Sequence, residues 1–248
     1  MRVARLLLTV LVGSLVVGAC GSTTDPSADS ATVFAAASLT DAFTELGDAF
    51  LLERPGADLT FSFGSSADLA RQIVEGAPVD VFASADLTNM AKVVDAGPAS
   101  SDPRVFATNR AEIVVAPGNP LDITGLDDLT RDDLVVVVCA PEVPCGTYAS
   151  EVFDNAGVEI TPASYEANVK AVVTKVTLGE ADAGIVYATD VLAAGNAVSG
   201  VEIPSGINVI AEYPVVAVSD NGVAQAFIDF VTGAGGQRIL ASNGFGAP

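Results

Sequence analysis

Three strand-to-helix junctions along this chain share one chemistry, and Asn168 marks a fourth helix start. Ser38 follows Ala36 and Ala37 and leads into a helical run, with Asp41 three residues on in capping-box spacing. Ser65 and Ser66 follow Gly64 and enter a second run, with Ser65 three before Asp68. Pro144-Cys145-Gly146 precedes a stretch, 147–155, that can begin helically, and Asn168 stands before Val169 as an N-cap. The first turn of a helix leaves backbone N–H groups without partners and carries roughly half a positive charge. Several such turns aimed at one point hold an anion without any lysine or arginine. Taken singly, each junction reads more simply as a cap with no ligand.

Composition narrows the chemistry. Histidine is absent from all 248 residues. That removes Ser-His-Asp and Cys-His nucleophile systems and imidazole metal sites. Eleven basic residues against 31 acidic ones give a net charge of −20. Phosphate neutralisation needs a basic surface, so a nucleic-acid partner is not expected. The acidic surface reads as self-repelling and solubilising, and anion capture in such a protein has to be local.

The elements that must position these residues alternate short β-rich runs with helical segments. Strands are expected at 32–36, 59–63 and 79–83, each followed by a helix, at 39–52, 67–75 and 87–95. A second set has strands at 112–116, 134–138 and 183–187, with a helix around 169–178. A strand at 213–218 and helices at 223–231 and 237–241 close the chain. Such alternation argues a largely parallel sheet with crossover helices.

The N-terminus reads as an address. Arg2 and Arg5 precede an apolar run, Leu6 to Val17, too short to span a bilayer comfortably as a helix. It ends in Val17-Gly18-Ala19-Cys20, which resembles the bacterial lipobox, with Cys20 the lipidated residue. Residues 1–19 are then a signal peptide and 20–30, polar and small, a flexible tether. Each buried methylene of an acyl chain adds about 0.8 kcal/mol, so two or three chains hold the protein stably at the membrane. Outside the cytoplasm, Cys139 and Cys145 read as a disulfide closing a small loop, stabilising by about 2.4 kcal/mol on chain entropy. Two free thiols are the alternative.

Several ordered segments resemble one family. Val33-Phe34-Ala35-Ala36-Ala37-Ser38-Leu39-Thr40-Asp41-Ala42-Phe43 is similar to the opening segment of the molybdate-binding proteins of ABC transporters. Phe63-Gly64-Ser65-Ser66-Ala67-Asp68-Leu69, running on through Pro78-Val79-Asp80-Val81-Phe82-Ala83-Ser84-Ala85-Asp86, resembles their second motif. Gly179-Glu180-Ala181-Asp182-Ala183-Gly184-Ile185-Val186-Tyr187 and Glu212-Tyr213-Pro214-Val215 match further blocks, so the resemblance covers about residues 32–246. It implies a two-lobed α/β fold of the periplasmic-binding-protein type II, each lobe a mixed, mostly parallel sheet flanked by helices. One lobe is expected to hold 31–108 and 215–248, the other 109–214. The resemblance also implies a ligand set. Ser38 and Ser66 each give a hydroxyl and a backbone amide, Cys145 and Val169 give backbone amides, and Tyr187 gives its phenol. The third family motif departs here. It usually reads Asp-Pro, two residues, Val-Pro-Ala-Gly, whereas Cys139-Ala140-Pro141-Glu142-Val143-Pro144-Cys145-Gly146 is one residue shorter, lacks the aspartate and carries a cysteine.

The function so implied is an exported, lipid-anchored binding protein on the outer face of the cytoplasmic membrane. It would capture molybdate or tungstate as a monomer and deliver it to an ABC permease driven by a separate ATPase. No enzymatic activity, cofactor or further metal is expected. Molybdate near neutral pH is a bare dianion that accepts hydrogen bonds and donates none, which suits donors only. Sulfate or another oxyanion is the nearest alternative ligand. A carboxylate-dependent surface hydrolase and a lipid-anchored interaction module are rivals from other classes, although no pair of carboxylates stands in a recognisable catalytic motif.

Overall fold

The computed structural model describes residues 29–248. The leader at 1–19, Cys20 and nearly all of the tether fall outside the described residues. Ser30, placed at the end of that tether, is already the first residue of a strand and pairs with Asp58.

Three parallel strands begin the fold: β1 (Ser30–Ala36), β2 (Asp58–Gly64) and β3 (Val81–Ala83), with β1 between the other two. Helices α1 (Thr40–Glu53), α2 (Ser66–Val74) and α3 (Leu87–Asp95) connect or follow them. The chain then runs through β4 (Arg104–Val115), β5 (Val136–Cys139), α4 (Pro144–Ala156), β6 (Ser164–Glu166), α5 (Val169–Thr177) and β7 (Ala183–Tyr187). It closes with α6 (Ala188–Ala194), β8 (Ser199–Glu202), β9 (Ile210–Ala217), α7 (Gly222–Thr232) and α8 (Ala234–Ser242).

The strands follow the order β2-β1-β3-β9-β4-β7-β5-β6, with β8 added on β4. Parallel pairing holds within β2-β1-β3 and within β7-β5-β6. Every antiparallel pair involves β4 or β9, which join the two halves. The sheet is therefore mixed rather than largely parallel, because the two long strands crossing between halves run against their neighbours.

Helices cover both faces, so central strands are apolar on both sides. Val33 and Ala35 of β1 enter one core with Phe43, Phe50, Phe106 and Phe227, while Phe34 enters another with Leu69, Ile73 and Phe82. Ile113 and Val115 of β4 pack with Val136, Val152 and Ile185 in a third core. In α1, Phe43, Leu46, Gly47 and Phe50 form the buried stripe. Gly47 lacks a side chain for a reason: a Cβ there would stand 2.7 Å from the Phe61 ring.

Several elements differ from the sequence expectation: β3 begins at Val81 rather than 79, β9 at Ile210 rather than 213 and α8 at Ala234 rather than 237. β4 begins at Arg104 rather than 112, and β6, α6 and β8 are additional. Polar Thr108, Asn109 and Arg110 interrupt the apolar run of β4, and its ladder with β9 makes that stretch a strand. β6 is three residues long and partly exposed.

Candidate functional site

Ser38 does not cap α1. It lies inside a 3-10 turn, Ala37–Leu39, which makes no side-chain cap bond, and α1 starts from Leu39 without one either. Its hydroxyl oxygen instead lies 3.0 Å from the phenol of Tyr213. The capping-box expectation fails here because Tyr213, far away in the chain, competes for the hydroxyl. The second junction divides its two serines. Ser65 caps α2, accepting the Asp68 N–H at 3.1 Å and donating to the Asp68 carboxylate at 2.9 Å. Ser66 is left free of that duty and accepts the Ala85 N–H at 3.0 Å. Asn168 caps α5 as expected, accepting the Ala171 N–H at 3.1 Å.

Cys139, at the end of β5, and Cys145, in the first turn of α4, are joined in a disulfide with Cα atoms 5.6 Å apart. Gly146 packs so closely beneath this loop that a Cβ would overlap the Ala140 carbonyl oxygen. The bridge and the glycine together hold the head of α4 against the end of β5.

All five residues singled out as oxyanion donors line one small cavity of about 20 Å³. Its wall comprises residues 36–38, 64–66, 85, 143–145, 168, 169 and 187, so Ser38, Ser66, Cys145, Val169 and Tyr187 meet there. No aspartate, glutamate, lysine or arginine is part of that wall. The starts of α2, α4 and α5 and the 3-10 turn ahead of α1 converge on it, and their first-turn amides have no intrahelical acceptor. Partial positive charge therefore collects at the cavity although the chain is strongly acidic. Organic ligands need several hundred cubic ångströms, so the size fits a small ion.

Tyr187 carries the most telling atom. Its hydroxyl is buried without a hydrogen-bond partner, at the end of β7 and on the cavity wall. A buried unpaired hydroxyl is costly. Burial, together with the neighbouring Tyr213, Tyr148 and acidic groups, pushes the Tyr187 pKa well above the usual phenol value, so it stays a donor.

Charged groups stand one layer back. Asp86 is turned toward its own helix, where it accepts the Asn89 N–H at 2.9 Å; burial raises its pKa. Asp190 is fully buried behind Tyr187 and accepts the Tyr187 N–H at 3.3 Å. Burial pushes it up to about 6, with the Lys170 ammonium and the Tyr187 N–H offsetting part of the effect. Lys170, next to Val169, lies 3.4 Å from Asp190 Oδ1 and 2.7 Å from Asp41 Oδ2. Burial works against its ammonium, but Asp190 and Asp41 outweigh that and raise its pKa.

The residue reading missed Tyr213, Asn109, Thr189 and Lys170 as parts of the site. The local signal was a tyrosine at the head of the apolar run 213–218, since a buried phenol seeks a polar partner.

The family described as bacterial extracellular solute-binding protein matches residues 31–246. The molybdate-binding protein ModA of Mycobacterium tuberculosis strain H37Rv is 42% identical over 98% of this chain and 97% of its own length. ModA of Escherichia coli strain K12 is 33% identical over 86% and 88%. Among solved structures, the periplasmic molybdate-binding protein of Azotobacter vinelandii has a TM-score of 0.76 at 21% identity, covering 88% of this chain and 99% of that one. The sulfate-binding protein SubI of Mycobacterium tuberculosis H37Rv reaches 0.77 at 22% identity, over 87% and 86%. At those identities the two structures speak for the fold. The chain belongs to the bacterial extracellular solute-binding protein family, alongside the molybdate-binding proteins it matches over nearly its whole length.

Proposed function

We propose that this protein captures molybdate, and tungstate with it, outside the cytoplasmic membrane and delivers the oxyanion to an ABC permease driven by a separate ATPase. Ser38, Ser66 and Tyr187 give hydroxyl donors, and the amides of Ser38, Ser66, Cys145 and Val169 complete the shell. Residues 31–108 with 215–248 form one lobe and 109–214 the other, and the ligand favours the closed arrangement. Lipidation at Cys20 holds the chain on the outer membrane face, and it works as a monomer.

One observation carries the reading: the buried, partnerless Tyr187 hydroxyl on a carboxylate-free cavity fed by several helix starts. A bare dianion satisfies such a site, whereas hydrogen phosphate brings a proton that needs an acceptor. Hydrogen bonds to a charged partner contribute about 1.5–3 kcal/mol each, so four or five reach the roughly −12 kcal/mol of nanomolar binding. The 42% identical mycobacterial protein is itself named for molybdate.

Calorimetric titration of the ligand-stripped protein with molybdate, tungstate, sulfate and phosphate tests it. Saturable heat is expected with molybdate and tungstate and is expected to disappear in Ser38→Ala/Ser66→Ala. Preference for sulfate would move the assignment to a sulfate carrier, and no heat with any oxyanion would end it.

A further inference from the structure

We infer that Asn109 and Tyr213 fix the direction of the Ser38 hydroxyl proton, making them positioning residues that tune the site to a fully deprotonated oxyanion. The inference rests on the oxyanion reading above and goes one layer behind it.

The Asn109 side-chain oxygen accepts the Arg110 N–H at 2.9 Å, which settles which end of the carboxamide is which. A flipped amide would set two donors against each other. The Asn109 Nδ2 group therefore faces the other way and donates to Thr189 Oγ1 at 2.8 Å and to the Tyr213 hydroxyl at 3.4 Å. An amide nitrogen can only donate, so Tyr213 accepts there.

Tyr213 has one proton, and its remaining partner is Ser38 Oγ at 3.0 Å. Burial pushes the Tyr213 pKa far above the usual phenol value, so that proton stays in place. Ser38 then accepts from Tyr213, and its own proton is free to point into the cavity that Ser38 lines. The chain of donors runs in one direction from Arg110 N–H to the ligand.

Ser66 obeys the same rule by a different route. Its oxygen accepts the Ala85 N–H, which cannot reverse, and its proton is likewise released toward the cavity. Ser65, on the same wall, shows the contrast: its proton is committed to Asp68. All three serines accept a hydrogen bond, but Ser65 spends its proton on Asp68 while the two serines assigned as ligands keep theirs for the cavity.

This placement also suits a coupling role for the backbone. Asn109 and Tyr213 lie on β4 and β9, the paired strands that join the two halves of the sheet, and Thr189 follows two residues after Tyr187. The relay reaches the back of Ser38 on one side and the Tyr187 segment on the other.

A serine locked as a donor rejects a ligand proton; a serine free to rotate can accept one. Removing the relay should therefore weaken molybdate and narrow its lead over hydrogen phosphate. Wild type, Tyr213→Phe and Asn109→Leu would be titrated with molybdate and with inorganic phosphate at pH 8. Molybdate affinity is expected to fall about tenfold in Tyr213→Phe, the loss of one oriented hydrogen bond, while phosphate is unchanged or tighter. Asn109→Leu should move the ratio the same way. It keeps the test open if Tyr213→Phe folds poorly. A proportional loss for both anions, leaving the ratio at the wild-type value, would mean packing alone and overturn the inference, as would unchanged affinities. Wild type failing to take up molybdate would instead overturn the oxyanion reading, and this inference with it.

Discussion

Lys170 Nζ lies 2.7 Å from Asp41 Oδ2, an ion pair that ties the first turn of α5 to the first turn of α1. Val169, just before Lys170, lines the cavity, as does Ser38, three residues before Asp41, so the pair links two segments that carry wall residues. Its cation is shared with buried Asp190, 3.4 Å away.

Removing the outer half of that pair should speed ligand release without abolishing binding. Asp41 is about half exposed, with 55% of its side chain accessible, so solvent screens the interaction and its worth is about 0.5–1 kcal/mol. Asp41→Asn is expected to raise the molybdate off-rate a few-fold in stopped-flow displacement at low salt. The difference from wild type should shrink as salt rises. Equal release rates at low salt would show that the pair does not hold the ligand site shut.

Breaking the disulfide should act on stability and on the anion site together. Cys139–Cys145 closes a short loop worth about 2 kcal/mol by chain entropy, and Cys145 also lines the cavity. Cys139→Ser/Cys145→Ser is expected to unfold at lower urea and to bind molybdate less tightly. If its affinity equals that of wild type, the bridge stabilises the fold and has no part in placing the donor.

The pH dependence of stability should carry the signature of Asp190. Burial raises its pKa from the ordinary 3.8 to about 6 in the folded chain. Below about pH 4 both states hold the proton, and the stability it contributes is fully present. Between 4 and 6 the unfolded chain loses its proton first, so stability falls as pH rises. Near pH 7 the loss is complete, on the order of 2–3 kcal/mol. Asp190→Asn should flatten that stretch, so its stability relative to wild type rises between pH 4 and 7. Parallel urea-denaturation profiles across that range would contradict the assignment.

What the sequence made legible was local. Leu87–Asp95 and Ala183–Tyr187 form the helix and strand read from apolar spacing, since each has its burial pattern and its ends written nearby. Asn168 and Ser65 cap the helices that follow them for the same reason. The five donors came from resemblance to a family, because nothing near Ser38 or Val169 in the chain says which helix starts will meet. The remaining parts depend on distance in sequence. Ser38 and Tyr213 are 175 residues apart, and Asn109 and Thr189 are 80 apart. Arg104–Asn109 is a strand because β9 lies beside it, with Gly246 bridging Thr108 as well. Tertiary pairing overrode local signals at each of these places.

The unpaired phenol of Tyr187 separates stability from binding in one substitution. Its hydroxyl is buried with no protein partner, and such a group costs about 1–3 kcal/mol of desolvation. Tyr187→Phe removes that oxygen while keeping the ring, which packs edge-on against Tyr148 and Tyr213. The ligand-free variant is therefore expected to unfold at the same or higher temperature than wild type. With molybdate present the order should reverse, because the hydroxyl would have donated to the dianion, a bond worth about 1.5–3 kcal/mol. Ligand binding stabilises the folded state in proportion to affinity, so the melting-temperature gain on adding saturating molybdate should be smaller in the variant. A hydroxyl that serves only the core would produce the opposite pattern: loss of stability without ligand, and the same gain with it.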